Sequence, residues 1–122
     1  MRYLIVGAGG FIGAVARFAV GVYFDTFWRR DFPLATFVVN VSGCFILGLF
    51  LTLATERLPV DPRLRLFLAT GFVGAYTTFS TFEYETQRLT TTGALGWAIV
   101  NVLTSVVAGF AALQLGVFLA RR

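Results

Sequence analysis

Gly71-Phe72-Val73-Gly74-Ala75-Tyr76-Thr77-Thr78-Phe79-Ser80-Thr81-Phe82 sets two glycines and four Ser/Thr hydroxyls among aromatic rings, inside a stretch otherwise apolar enough to enter a membrane. The segment is a poor helix, because glycine and β-branched threonine both lower helix propensity. It is an equally poor lipid-facing surface, since unwound backbone at membrane depth survives only where protein buries it or where it lines a cavity. The composition therefore predicts a break between Gly74 and Thr78. Such a break frees carbonyls and amides near the midplane, as in transporters that hold ions there, and carbonyls suit a hard monovalent cation. After the break, helical spacing puts Thr77, Ser80 and Thr81 on one face, with Phe79 and Phe82 three residues apart. Hydroxyls donate to anions and the edge of a phenyl ring is positive, a combination suited to a small, hard anion. The plainer reading is that the rings pack and the hydroxyls bond carbonyls one turn back.

Working outward, charges punctuate the chain so that four apolar stretches stand out, at about 3–24, 34–54, 66–82 and 94–120. Roughly 20 apolar residues cross a hydrocarbon core about 30 Å thick, so the first two fit, the third is short and the fourth can tilt or project. The connections between them are short and carry most of the charges. We expect a single all-α domain of four membrane helices, the third broken near its middle, over residues 1–122. An even number of spans puts both termini on one side with the 55–65 connection. Arginines 2, 57, 63, 65, 121 and 122 then lie on that side against 29, 30 and 88 on the other, a mild bias toward termini in the cytoplasm.

Composition agrees with lipid as the solvent. Of 122 residues, 57% are hydrophobic and 13% charged, against about a quarter charged in soluble domains. The net charge of +4, with arginine as the only basic side chain, reads as headgroup contact and topology and not as nucleic-acid binding. A lone cysteine and no histidine exclude an intrachain disulfide framework and argue against a zinc site. Two decoys fail. Arg2, the apolar run and Ala14-Val15-Ala16 suggest a signal peptide, but cleavage would still leave three spans. Gly7-Ala-Gly-Gly-Phe-Ile-Gly13 imitates a dinucleotide-binding turn, but a lipid-length span follows where alternating strands and helices are required.

Each other span carries polar residues that need a reason. On the first, Gly9, Gly13 and Arg17 share a face at spacings of four, which fits close helix packing. A guanidinium there either snorkels to the headgroups or faces an anion-attracting vestibule. On the second, Asn40 shares a face with Thr36 and Gly43, and either bonds a neighbouring helix or donates to an anion. Cys44 reads as a small packing residue. On the fourth, Asn101 and Ser105 lie one turn apart, and Ser105 with Gly109 makes a small-residue contact that packing alone would explain. Packing does not explain uncharged donors recurring on spans two, three and four.

With these residues in view, the sequence resembles the Fluc family of fluoride channels, also called CrcB, over essentially its whole length. Gly9-Gly-Phe-Ile-Gly-Ala-Val-Ala-Arg17-Phe18 is similar to the family's GGxxGAxxRY, and Thr36-Phe-Val-Val-Asn40-Val-Ser-Gly43 to its TxxxNxxG. Gly71 to Phe82 is similar to GFxGGxTTFSTF, the most specific of the matches, and Ser105 to Gly109 is a fourth block. The resemblance implies an antiparallel, dual-topology dimer in a bacterial inner membrane, with two narrow pores that conduct fluoride passively and selectively. It implies that Asn40 lines the pore, that Phe79 and Phe82 turn ring edges to fluoride, and that Ser80, Thr81 and Ser105 belong to a polar path. It also implies a structural sodium ion at the dimer interface, held by the backbone carbonyls of Gly74 and Thr77 from both subunits. Arg17 and Glu85 match charged positions near the pore entrances. The chain departs from the pattern at Ala75, at Phe18 and at Asn101, where the family has a tyrosine in its polar path. The arginine bias fits poorly with equal insertion in both directions, so an oppositely inserted paralogue is an alternative partner to a second copy.

An enzyme would need a base, nucleophile or metal cluster, and the spans hold none. The rival function is a small dual-topology multidrug-type cation exporter, which calls for an intramembrane carboxylate. All six acids lie in or beside the connections.

Overall fold

The computed structural model describes all 122 residues and contains helices but no strands. Helix α1 spans Arg2–Asp25, and α2 spans Leu34–Thr52 and runs on into a π-helical turn at Leu53–Arg57. Helix α3 covers 62–76. It starts with a turn at Pro62–Arg65, where Asp61 caps by accepting the Arg63 N–H at 2.7 Å and proline takes the first helical position. It continues through a π-helical stretch at Leu66–Val73 to a last turn at Gly74–Tyr76. Helix α4 is Phe79–Thr91 and α5 is Leu95–Arg121. Three helices, α1, α2 with its π-helical extension, and α5, are long and apolar enough to cross a membrane. The third apolar stretch is divided between α3 and α4.

Two seams hold these helices together, and both are built on glycine. Along α1, a Cβ at Gly9 would overlap the Phe67 carbonyl oxygen and one at Gly13 would overlap that of Phe72, while a Cβ at Gly71 would lie 2.7 Å from the Val6 oxygen. The backbones of α1 and α3 therefore touch, as the fourfold spacing of Gly9 and Gly13 predicts. Along α2, Gly48 meets the Leu113 carbonyl, and Gly116 on α5 meets the backbone of Phe45 and Leu49. Lipid tails give no hydrophobic drive between helices, so close backbone contact and dispersion must supply cohesion. Large side chains such as Leu4, Phe11, Phe18, Leu103, Val107 and Phe110 point outward. That is the inverse of a soluble fold and fits a lipid exterior.

The structure differs from the hydropathy reading in two places. Helix α4 continues to Thr91, past the apolar stretch that ends at Phe82, so Glu83 and Glu85 lie on a helix and not in a connection. Apolarity marks what faces lipid, and α4 is amphipathic enough to outlast it. The π-helical stretches are also absent from the pattern, because a segment such as Leu66–Val73 is apolar on nearly every side and has no stripe whose rotation would register.

Candidate functional site

The break falls at Thr77 and Thr78, where the backbone turns extended (φ −78°, ψ 159° and φ −151°, ψ 117°). Its polar groups are almost all answered by side chains. The Thr77 N–H and hydroxyl both donate back to the Val73 carbonyl at 3.0 Å. The Thr78 N–H, which in an unbroken helix would donate to Gly74, donates instead to Asn40 Oδ1 at 2.8 Å. Asn40 Nδ2 donates in return to the Thr78 carbonyl at 3.0 Å. The amide thus pairs with one residue of extended backbone much as a neighbouring strand would. Thr78 then caps α4, its hydroxyl oxygen accepting the Thr81 N–H at 3.2 Å while its proton goes to the Thr81 hydroxyl at 3.0 Å. Gly43 makes room, since a Cβ there would collide with Cγ2 of Thr77. Thr36, Asn40 and Gly43, read as one face of α2, therefore meet Glu85, Thr78 and Thr77 respectively.

On either side of this wall lies a cavity, and Thr78 lines both. The first, of about 290 Å³, is lined by Asn40, Thr77, Phe79, Phe82 and Ser105 among others. Asn40 commits one N–H to Thr78, which leaves its second for this space. The Phe79 and Phe82 rings are 5.8 Å apart and tilted by 42°. Phe82 is buried (7% exposed) and Phe79 stands out (73%). The second cavity, of about 360 Å³, is lined by Arg17, Asp25, Thr36, Thr81 and Glu85 with Thr78. Arg17 turns inward and donates from Nη1 to the Thr77 carbonyl at 3.5 Å. Glu85 accepts from Thr36 Oγ1 at 2.9 Å, and its other oxygen, Oε2, is buried without a hydrogen-bond partner.

Thr77, Ser80 and Thr81 do not share a face. Thr77 lies in extended backbone ahead of α4 and faces the first cavity, Thr81 faces the second, and Ser80 is exposed and lines neither. Helical periodicity does not carry across a break. Asn101 does not reach either cavity. It is 1% exposed, donates from Nδ2 to Thr86 Oγ1 at 2.9 Å and accepts from the Ser105 hydroxyl at 3.4 Å. Thr86 escaped the sequence reading, although it lies one turn beyond Phe82 on the same face. So did the Ser42–Tyr76 hydroxyl pair at 2.9 Å, which ties α2 to the last turn of α3.

The break also leaves backbone carbonyls without a close donor in the chain. Gly74 loses the Thr78 donor to Asn40, the Thr77 oxygen has only the long Arg17 contact, and Gly74 is exposed on the surface of the chain. Neutral, hard oxygens at a helix end suit a monovalent cation without a carboxylate.

The sequence profile of the family described as CrcB-like protein, Camphor Resistance (CrcB), matches residues 4–117. A relative from Solibacter usitatus, named Fluoride-specific ion channel FluC, is 48% identical across the full length of both chains. A second of that name, from Acidobacterium capsulatum, is 45% identical over all of this chain and 98% of its own. With a match of this extent on a chain whose break, α1–α3 glycine seam and polar clamp fall on the motif positions, the protein belongs to the CrcB family.

Proposed function

We propose that this chain is the subunit of a fluoride-selective channel through which fluoride leaves the cytoplasm down its own gradient, protecting the cell from fluoride. The observation that carries the reading is the convergence of Asn40, Phe79, Phe82 and Ser105 on one small cavity beside an unwound helix. An amide N–H, a hydroxyl and phenyl edges can replace part of an anion's hydration shell without a fixed positive charge that would trap it. The relatives' names support fluoride as the ion.

Two antiparallel copies in a bacterial inner membrane complete the reading. The exposure of Ser80 and Gly74 supports it, because a hydroxyl and a free carbonyl beside the break are poorly matched to lipid and well matched to a second copy. In that assembly the Gly74 and Thr77 carbonyls of both chains hold a structural sodium ion at the crossing, and Arg17 and Glu85 stand at the pore mouth. The geometry favours a channel over a cation exporter: Glu85 is the one acid on α4 that turns inward, and it is held by Thr36 on the far side of the break from the aromatic cavity.

The test is fluoride efflux from liposomes holding the purified protein, followed with a fluoride electrode and compared with chloride. Rapid fluoride flux without chloride flux and without a proton gradient establishes the channel. Absence of flux, both alone and after reconstitution with an oppositely inserted paralogue, overturns it.

A further inference from the structure

Asn101 is one of the two largest fully buried side chains in the molecule, and the aromatic cavity does not include it. Its amide is committed sideways, from α5 to Thr86 Oγ1 on α4 at 2.9 Å. The Thr86 hydroxyl in turn donates to the Phe82 carbonyl at 2.8 Å. Thr86 lies one turn beyond Phe82 on α4, and Asn101 lies one turn before Ser105 on α5, so in this antiparallel pair the two contacts stack as adjacent layers. The Asn101–Thr86 hydrogen bond forms one layer. Phe82 and Ser105, both lining the aromatic cavity, form the next.

From this stacking we infer that Asn101 and Thr86 are positioning residues: their hydrogen bond fixes the register of α4 against α5 and so sets the spacing of the Phe82 ring and the Ser105 hydroxyl across the ion path. The inference rests on the channel reading above and assigns the pair a part in selectivity. Apolar packing would tolerate small slips between these helices, whereas a buried amide without water must find one partner at one height. Single buried amides fix register in coiled coils by the same logic. Ser105 adds to the arrangement by donating weakly to Asn101 Oδ1 at 3.4 Å, so that neither amide group is left unanswered.

The test compares wild type, Thr86→Val, Asn101→Leu, their double variant and Thr86→Ser, reading the half-saturating fluoride concentration and the fluoride-to-chloride flux ratio per assembled protein. Thr86→Val is isosteric and leaves the Asn101 N–H unanswered, whereas Asn101→Leu removes the amide and frees the Thr86 and Ser105 hydroxyls, so failure of one to assemble leaves the other informative. Each single variant is expected to lower the selectivity ratio by roughly threefold to tenfold, the span expected of one hydrogen bond within a membrane. The double variant should be no worse than the more severe single, and Thr86→Ser should restore the wild-type values. Unchanged half-saturation and selectivity in both single variants, or additive losses in the double, overturn the positioning role. Wild-type protein that carries no fluoride, both alone and with an oppositely inserted paralogue, overturns the channel reading itself, which separates the two failures.

Discussion

The two halves of the divided third stretch are held by opposite means. Helix α3 is apolar and lies backbone to backbone on α1, with Gly9, Gly13 and Gly71 removing the side chains that would keep them apart. Helix α4 is anchored by named hydrogen bonds: Asn40 to Thr78, Thr36 to Glu85 and Asn101 to Thr86. Shape complementarity makes the first half a rigid post, and its loss should be felt as loss of the fold. Hydrogen bonding makes the second half adjustable at a few points, and its loss should be felt in ion passage while the protein still assembles.

The sharpest way to break this contrast is Gly9→Ala with Gly13→Ala. Each added methyl meets a carbonyl oxygen of α3, and overpacking of this kind costs roughly 1–3 kcal/mol per site. The expected outcome is little assembled protein on size-exclusion chromatography and a lowered unfolding temperature in detergent. Full assembly would show that the α1–α3 seam can open and that α3 is no post.

Asn40→Asp probes the other half. A carboxylate would set negative charge against the Thr78 carbonyl and in the path of an anion, and a charge placed at this depth costs enough to cut flux roughly 100-fold. The variant should elute as wild type, and retained flux in liposomes would mean that the Asn40 clamp does not face the path. Phe82→Ile keeps bulk but removes the ring edge, with an expected loss of flux of roughly tenfold. Thr78→Val deletes the α4 cap and should cost about 1 kcal/mol, visible as a modest drop in unfolding temperature. Smallest of all is Glu56→Gln, which breaks the exposed ion pair with Arg121 at the far ends of α2 and α5. No measurable change in flux or unfolding is expected, and a clear loss would place a structural tie outside both halves.

Much of this arrangement is legible in the residues. Glycine and threonine crowded into Gly71 to Phe82 are enough to weaken a continuous helix there, and the fourfold spacing of Gly9 and Gly13 announces a close neighbour without naming it. Thr36, Asn40 and Gly43 declare a face by spacing alone, and all three meet the break or the helix that follows it. The inward turn of Arg17 was not decided by spacing, because one helix face serves a headgroup or a vestibule equally well. The grouping of Thr77 with Thr81 fails for a definite reason. It assumes helical rotation through two residues whose backbone is extended, and the break that the same residues predict removes the basis for the assumption.

What the sequence by itself determined is the number and polarity of the apolar stretches, the place of the break and the residue types beside it. These follow from backbone propensity and from the cost of polar groups in lipid, both of which are local. Only the tertiary structure decided which partner each polar group takes. The pairing of Asn101 with Thr86 and the two-bond clamp of Asn40 on Thr78 join residues 15 and 38 positions apart. Such pairings depend on how α4 lies against α2 and α5, and that placement is set by the glycine seams and by the direction in which the chain resumes after Thr78.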